Sequence, residues 1–158
     1  HGYQVHVGFN QPKSRGYIEI KSSNPYDTPK ILFNYLQHEH DLIGFRNALK
    51  ITRKIMNQPA FDVYRDIEIQ PGVSVATDDQ IDEFIRNSVE SAYHPCGTCK
   101  MGNDNESVVD PKTKVRGVNN IRVIDASIFP NILNGNINAP TLMVAEKASD
   151  IILNEYLE

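Results

Sequence analysis

The sequence holds only two cysteines, Cys96 and Cys99, close together in one short stretch. That excludes a disulfide scaffold, which needs several spaced pairs. It has no basic excess: 16 Lys and Arg stand against 20 Asp and Glu, a formal net charge of −4. A non-specific nucleic-acid binder usually has the opposite sign, so no nucleic-acid partner is expected. No apolar run approaches the roughly 18 residues that a membrane span needs. The opening His1-Gly2-Tyr3-Gln4-Val5-His6 lacks the basic region and apolar core of a signal peptide. With His rather than Met in first position, the expectation is a fragment or a processed product. No internal repeat or low-complexity tract is visible. Neither G-x-G-x-x-G nor G-x-x-x-x-G-K-[ST] occurs, so the chain has no phosphate-cradling loop of its own.

What is present is an ordinary globular composition. The 158 residues weigh 17.8 kDa, with 40% apolar and 23% charged residues. That is one domain or a large piece of one, and global disorder is not expected. Residues 3–9 alternate with period two, as a strand does. Ser14-Arg15-Gly16 reads as a turn into a second alternating run, Tyr17-Ile18-Glu19-Ile20-Lys21, so the two runs are expected to pair as a hairpin. Pro25 and Pro29 mark residues 22–30 as a loop. Leu42, Phe45, Leu49, Thr52 and Met56 fall on one helical face, and Pro59 stops that helix. Thr77-Asp78-Asp79-Gln80 fits a capping box, followed by Ile81, Phe84, Ile85 and Val89 at helical spacing. Beyond residue 91, glycines and prolines break the chain into short segments. Ile121-Arg122-Val123-Ile124 is a short strand candidate ending at Asp125. A last helix begins near Asn138-Ala139-Pro140-Thr141, with Pro140 tolerated in its first turn and free N–H groups at its mouth.

Three constellations could hold chemistry. Cys96-Gly97-Thr98-Cys99 is a C-x-x-C: a dithiol redox centre, half of a zinc site, or two packed thiols in a tight turn. Zinc needs about four ligands. His94 adds one to the two cysteines, and the upstream His38-Glu39-His40 does not have the H-x-E order of the zinc deaminases. A thioredoxin-like centre would follow a strand, whereas here a helix precedes it. His94 itself is either a structural histidine or an acid/base held on a loop, its backbone kept extended by Pro95. Asn134-Gly135-Asn136-Ile137-Asn138-Ala139-Pro140-Thr141 is either a loop with a helix cap or an anion site at a helix N-terminus.

Taken in order, several blocks resemble one family. Tyr93-His94-Pro95-Cys96-Gly97-Thr98-Cys99-Lys100-Met101-Gly102 resembles the H-P-x-G-T-x-x-M-G signature of the glucose-methanol-choline (GMC) flavin oxidoreductases. Val108-Val109-Asp110, Val115-Arg116-Gly117-Val118 and Ile121 through Ser127 resemble its next blocks, and Asn136 through Thr141 with Ala145-Glu146-Lys147-Ala148 its last. The two-cysteine form of the signature is similar to that of the choline-oxidising members, as are residues 14–22 and 31–35. The resemblance covers essentially the whole chain.

It implies an α+β fold. Residues 1–105 would belong to a substrate-binding domain, an antiparallel or mixed sheet flanked by helices. Residues 106–158 would return a strand and a helix to an FAD-binding domain whose N-terminal Rossmann-type unit is absent from this chain. It also implies an FAD-dependent dehydrogenase oxidising choline to betaine aldehyde, with glycine betaine as the further product, or a relative acting on another primary alcohol. A zinc or dithiol module built on His94, Cys96 and Cys99 is the reading from a different class. His94 matches the family's catalytic base. Asn138 is matched to the second active-site position, where an amide can donate to a developing alkoxide but cannot act as a base. Asp125, Ala126, Asn136, Pro140 and Thr141 would lie at the cofactor, and no metal is expected. The fragment alone is expected to hold no FAD and to be inactive. Its partners would be choline, the missing FAD-binding domain, and other copies met through exposed apolar surface. A cytoplasmic location, either free or peripheral to a bacterial inner membrane, is the accompanying expectation.

Overall fold

The structure, a computed structural model, describes residues 2–157. They form two compact units that divide between Ala92 and Tyr93.

In the first unit the periodic run becomes helix α1, Glu39–Met56. Glu39 and Asp41 in its first turn, and Arg53 and Lys54 in its last, complement the helix dipole. Helix α2, Asp78–Ser88, starts on the capping box read from the sequence. The Gln80 amide donates to Thr77 Oγ1, and the Thr77 amide donates to Gln80 Oε1. The two helices enclose Leu36, Leu42, Ile81 and Ile85, with Phe45, Leu49 and Phe84 packed around them. Burial of each such side chain is worth about 1.5–3 kcal/mol. At the rim Arg46 donates to Asp82 (Nε to Oδ1, 2.7 Å) and to Asp78 (3.2 Å), and Lys50 donates to Asp78 at 2.5 Å. The Lys50–Asp78 pair is exposed, and pairs of that kind add about 0–1 kcal/mol.

Asp41 is 1% exposed. Its carboxylate accepts the Lys13 and Ser14 amides at 2.8 Å each and the Ser14 hydroxyl at 2.5 Å. His40 Nδ1 lies 3.3 Å from it. Burial alone pushes this carboxyl up, but the Lys13 amide, both Ser14 donors and His40 outweigh it and bring it down from 3.8 to about 2.

The hairpin differs from the expected one. Strand β1, Tyr17–Glu19, pairs antiparallel with β2, Lys30–Leu32, and Ile18 faces Ile31. Residues 3–9 form no strand. Alternation specifies an extended backbone, not its neighbour, and the segment that follows is tied to α1 through Asp41. A Cβ on Gly16 would lie 1.9 Å from the Leu32 carbonyl oxygen, so only glycine permits that approach.

The second unit is built from short extended segments sewn together by backbone bonds. Cys99 N–H donates to Ser127 O at 3.0 Å, Met101 N–H to Ile128 O at 2.8 Å, and Gly102 N–H to Val109 O at 3.1 Å. Val109, Ile128, Phe129 and Ala148 are buried. The strand expected at residues 121–124 is reduced to a single bridge between Arg122 and Lys114. Helix α3, Asn138–Leu157, follows. Near its C-terminus Glu155 meets Lys114 at 2.9 Å, Lys112 at 3.6 Å, and Arg122. The Lys114 hydrogen bond, with the charges of Arg122 and Lys112, holds its carboxyl below the usual range. The α+β class stands, with the antiparallel sheet reduced to one short pair. Among the described residues, no helix is long and apolar enough to cross a membrane.

Candidate active site

His94 sits on the stretch that enters the second unit. Tyr93 before it has φ +59°, a left-handed conformation that a tyrosine rarely adopts. Pro95 after it keeps His94 out of helical conformation. Gly97, at φ +90°, then turns the chain so that Cys99 and Met101 can bond to Ser127 and Ile128. Arg116 Nη2 donates to Gly102 O at 2.7 Å and closes the far end of the signature. The histidine is thus mounted on a backbone fixed at both ends, and its ring is half-buried.

The side chain that meets it is Asn136. His94 Nε2 lies 3.0 Å from Asn136 Oδ1, a contact that spans 42 residues of sequence. Asn138, which the resemblance matches to the second active-site position, is the first residue of α3 and is exposed, as is Asn136. Once Pro140 occupies the first turn, Asn138 belongs to the helix. Asn136 lies in the loop before it and turns back to the imidazole. The resemblance places Asn136 at the cofactor.

The remaining candidates gather along the same unit. Asp125 caps the 3-10 turn Ala126–Ile128, its Oδ1 accepting the Ser127 amide at 2.8 Å and the Ser127 hydroxyl at 2.5 Å. Its carboxylate is therefore engaged locally, and the backbone of Asp125 and Ala126 is what this corner can offer a ligand. Thr141 Oγ1 donates to Ile137 O at 2.7 Å, within the first turn of α3. The amides of Asn138 and Ala139 are first-turn donors that a helix leaves without an internal acceptor, and Pro140 has none to offer. This set suits the electron-rich edge of a cofactor. Cys96 and Cys99 are half-buried thiols, not a disulfide. Among the described residues no three His, Cys, Asp or Glu side chains gather as a metal site, so His94, Cys96 and Cys99 do not form a zinc set.

Residues 12–145 match the GMC oxidoreductase family. This chain belongs to that family. It is 55% identical over 157 residues to the oxygen-dependent choline dehydrogenase of Vibrio vulnificus (strain YJ016), covering 98% of this chain and 28% of that protein. Among solved structures it resembles pyridoxine 4-oxidase from Mesorbium loti (TM-score 0.85, 37% identity, 89% of this chain and 28% of that one). It also resembles an FAD-dependent oxidoreductase from Chaetomium thermophilum (TM-score 0.88, 33% identity, 92% of this chain and 26% of that one). The GMC chain described here therefore spans little more than a quarter of the length of the relatives it matches.

Proposed function

We propose that residues 1–158 are the His94-bearing, C-terminal part of a flavin-dependent choline dehydrogenase that oxidises choline to betaine aldehyde. The observation behind this is the His94–Asn136 pair at 3.0 Å, set inside a stretch 55% identical to a choline dehydrogenase. In this reading residues 1–105 belong to the substrate-binding domain and residues 106–158 to the FAD-binding domain.

An alcohol hydroxyl holds its proton about as tightly as water does. Hydride leaves the adjacent carbon readily only as charge builds on that oxygen, so a base must take the proton. His94 Nε2 is that base. Asn136 can serve both of its protonation states. Its Oδ1 accepts from protonated Nε2, and after a half-turn of the amide its Nδ2–H donates to bare Nε2 or to the alkoxide oxygen. An amide is no base near neutral pH, so one histidine moves the proton and Asn136 positions it.

FAD, when bound, supplies the hydride acceptor. The backbone of Asp125 and Ala126, with Asn136, Pro140 and Thr141 at the mouth of α3, would hold its reactive end. The rest of the cofactor needs a phosphate cradle, which this chain does not contain.

The test is anaerobic mixing of the whole protein with choline, following loss of flavin absorbance. His94→Ala should slow that loss by about 10²–10⁴, the usual range for an acid/base group. A change below about threefold would remove His94 from the mechanism. Reduction by another primary alcohol but not by choline would keep the chemistry and change the substrate.

A further inference from the structure

The 3-10 turn Ala126–Ile128 is held by its capping side chain more tightly than by its own backbone. Asp125 Oδ1 accepts the Ser127 amide at 2.8 Å and the Ser127 hydroxyl at 2.5 Å. The turn's own bonds, Ile128 N–H to Asp125 O and Phe129 N–H to Ala126 O, are 3.3 Å each. Hydrogen bonds between N–H and O are commonest at about 2.9–3.0 Å and weaken with length, so the carboxylate is the firmer fastening at Ser127. Burial of Ile128 and Phe129 holds the other side of the turn. Two carbonyls of this turn hold the neighbouring segment: Ser127 O accepts the Cys99 amide at 3.0 Å, and Ile128 O the Met101 amide at 2.8 Å. That segment begins at His94. A Cβ on Gly97, between His94 and Cys99, would lie 3.4 Å from Phe129 O. The chain leaving the turn leads on to Asn136, whose Oδ1 lies 3.0 Å from His94 Nε2.

We propose that Asp125 is a positioning residue for His94: by fixing Ser127, its carboxylate sets the carbonyl to which the segment carrying the imidazole is tied. The inference rests on the reading of His94 as the base. Both donors to Oδ1 come from Ser127, so this side chain acts on the protein, and contact with a ligand at this corner falls to the backbone. Without the carboxylate, Ser127 is left with the long bonds of the turn, its carbonyl can rotate, and the Cys99 amide moves with it. Pro95 restricts the backbone between His94 and Cys99, so the displacement reaches the ring. Proton transfer needs the base within about 2.6–3.2 Å of the hydroxyl it serves. A misplacement of about 1 Å can slow such a step by about 10²-fold.

The test is anaerobic mixing of the complete, flavin-loaded natural gene product with saturating choline. Four forms are compared: unsubstituted, Asp125→Ala, His94→Ala, and the double variant. Asp125→Ala should slow flavin reduction by about 10-fold. With His94→Ala already present it should change the rate by less than about threefold, because a residue acting through His94 then has nothing to position. A merely destabilised fold lowers the amplitude of the absorbance change and leaves the rate constant of the folded molecules unaltered. Equal slowing in both backgrounds makes Asp125 act on the flavin and overturns the inference. Slowing below about threefold with His94 present overturns it as well. Where Asp125→Ala does not fold or hold flavin, Ser127→Ala takes its place, removing the hydroxyl bond and keeping the amide cap. Slowing of about threefold or more that vanishes in the His94→Ala background then supports the inference, and an unaltered rate overturns it. A His94→Ala protein that reduces flavin at the unsubstituted rate defeats the reading of His94 itself. A slow His94→Ala protein beside an unaltered Asp125→Ala protein defeats only this inference.

Discussion

Replacing Asp41 by Asn removes the charge on which three donors converge while leaving the size of the side chain unchanged. The carboxyl sits at about 2 instead of 3.8 because the Lys13 amide, the Ser14 amide and hydroxyl, and His40 together outweigh the cost of its burial. Each pH unit of such a displacement is worth about 1.4 kcal/mol, so the folded form favours the ionised carboxylate by about 2.5 kcal/mol. That stabilisation is complete above the ordinary value of 3.8. It fades as pH falls towards 2 and is gone below that, because the folded form can no longer hold the charge. The substituted carboxamide would also turn its own N–H groups towards donors. Hydrogen exchange at the Lys13 and Ser14 amides reads the effect locally. At neutral pH Asp41→Asn should lower their protection by about 60-fold, the factor that corresponds to the displacement. In the unsubstituted protein, protection corrected for intrinsic exchange should fall between pH 4 and 2. Protection unchanged within about threefold, in a protein that keeps α1 folded, would refute the role given to the buried carboxylate.

Asn136→Ala should slow flavin reduction by about 10–10³, as for one lost donor to a developing oxyanion, whereas Asn138→Ala should have the smaller effect; the reverse order in rapid mixing would return the role to Asn138. Cys96 and Cys99 replaced together by Ser should leave choline oxidation within about tenfold, because hydride passes to flavin with no thiol in its path; complete loss with fold and flavin retained would restore the dithiol reading. The 158-residue chain alone, incubated with excess FAD and desalted, should remain colourless, since FAD affinity in such folds rests on a glycine-backbone pyrophosphate cradle absent here. Stoichiometric flavin absorbance after desalting would contradict that.

The sequence by itself determined the parts encoded within a turn or two of chain. The capping box at Thr77 and Gln80 sets the start of α2, and Pro140 places the mouth of α3 at Asn138. The spacing of Leu42, Phe45 and Leu49 determines the buried face of α1. The ordered blocks from His94 to Ala148 identified the family, because they are read one after another along the chain. The tertiary structure alone decided which distant groups meet. The alternation in residues 3–9 specified an extended chain but could not name a partner, and β1 took Lys30–Leu32. Asp41 has no local sequence signal for its role, because its donors, Lys13 and Ser14, lie 28 and 27 residues earlier. The resemblance matches Asn138 to the active site and Asn136 to the cofactor, two residues apart. Only the loop that returns Asn136 across 42 residues to His94 separates them. Local rules fix backbone conformation through neighbouring atoms, whereas a contact between remote side chains depends on the path of all the chain between them.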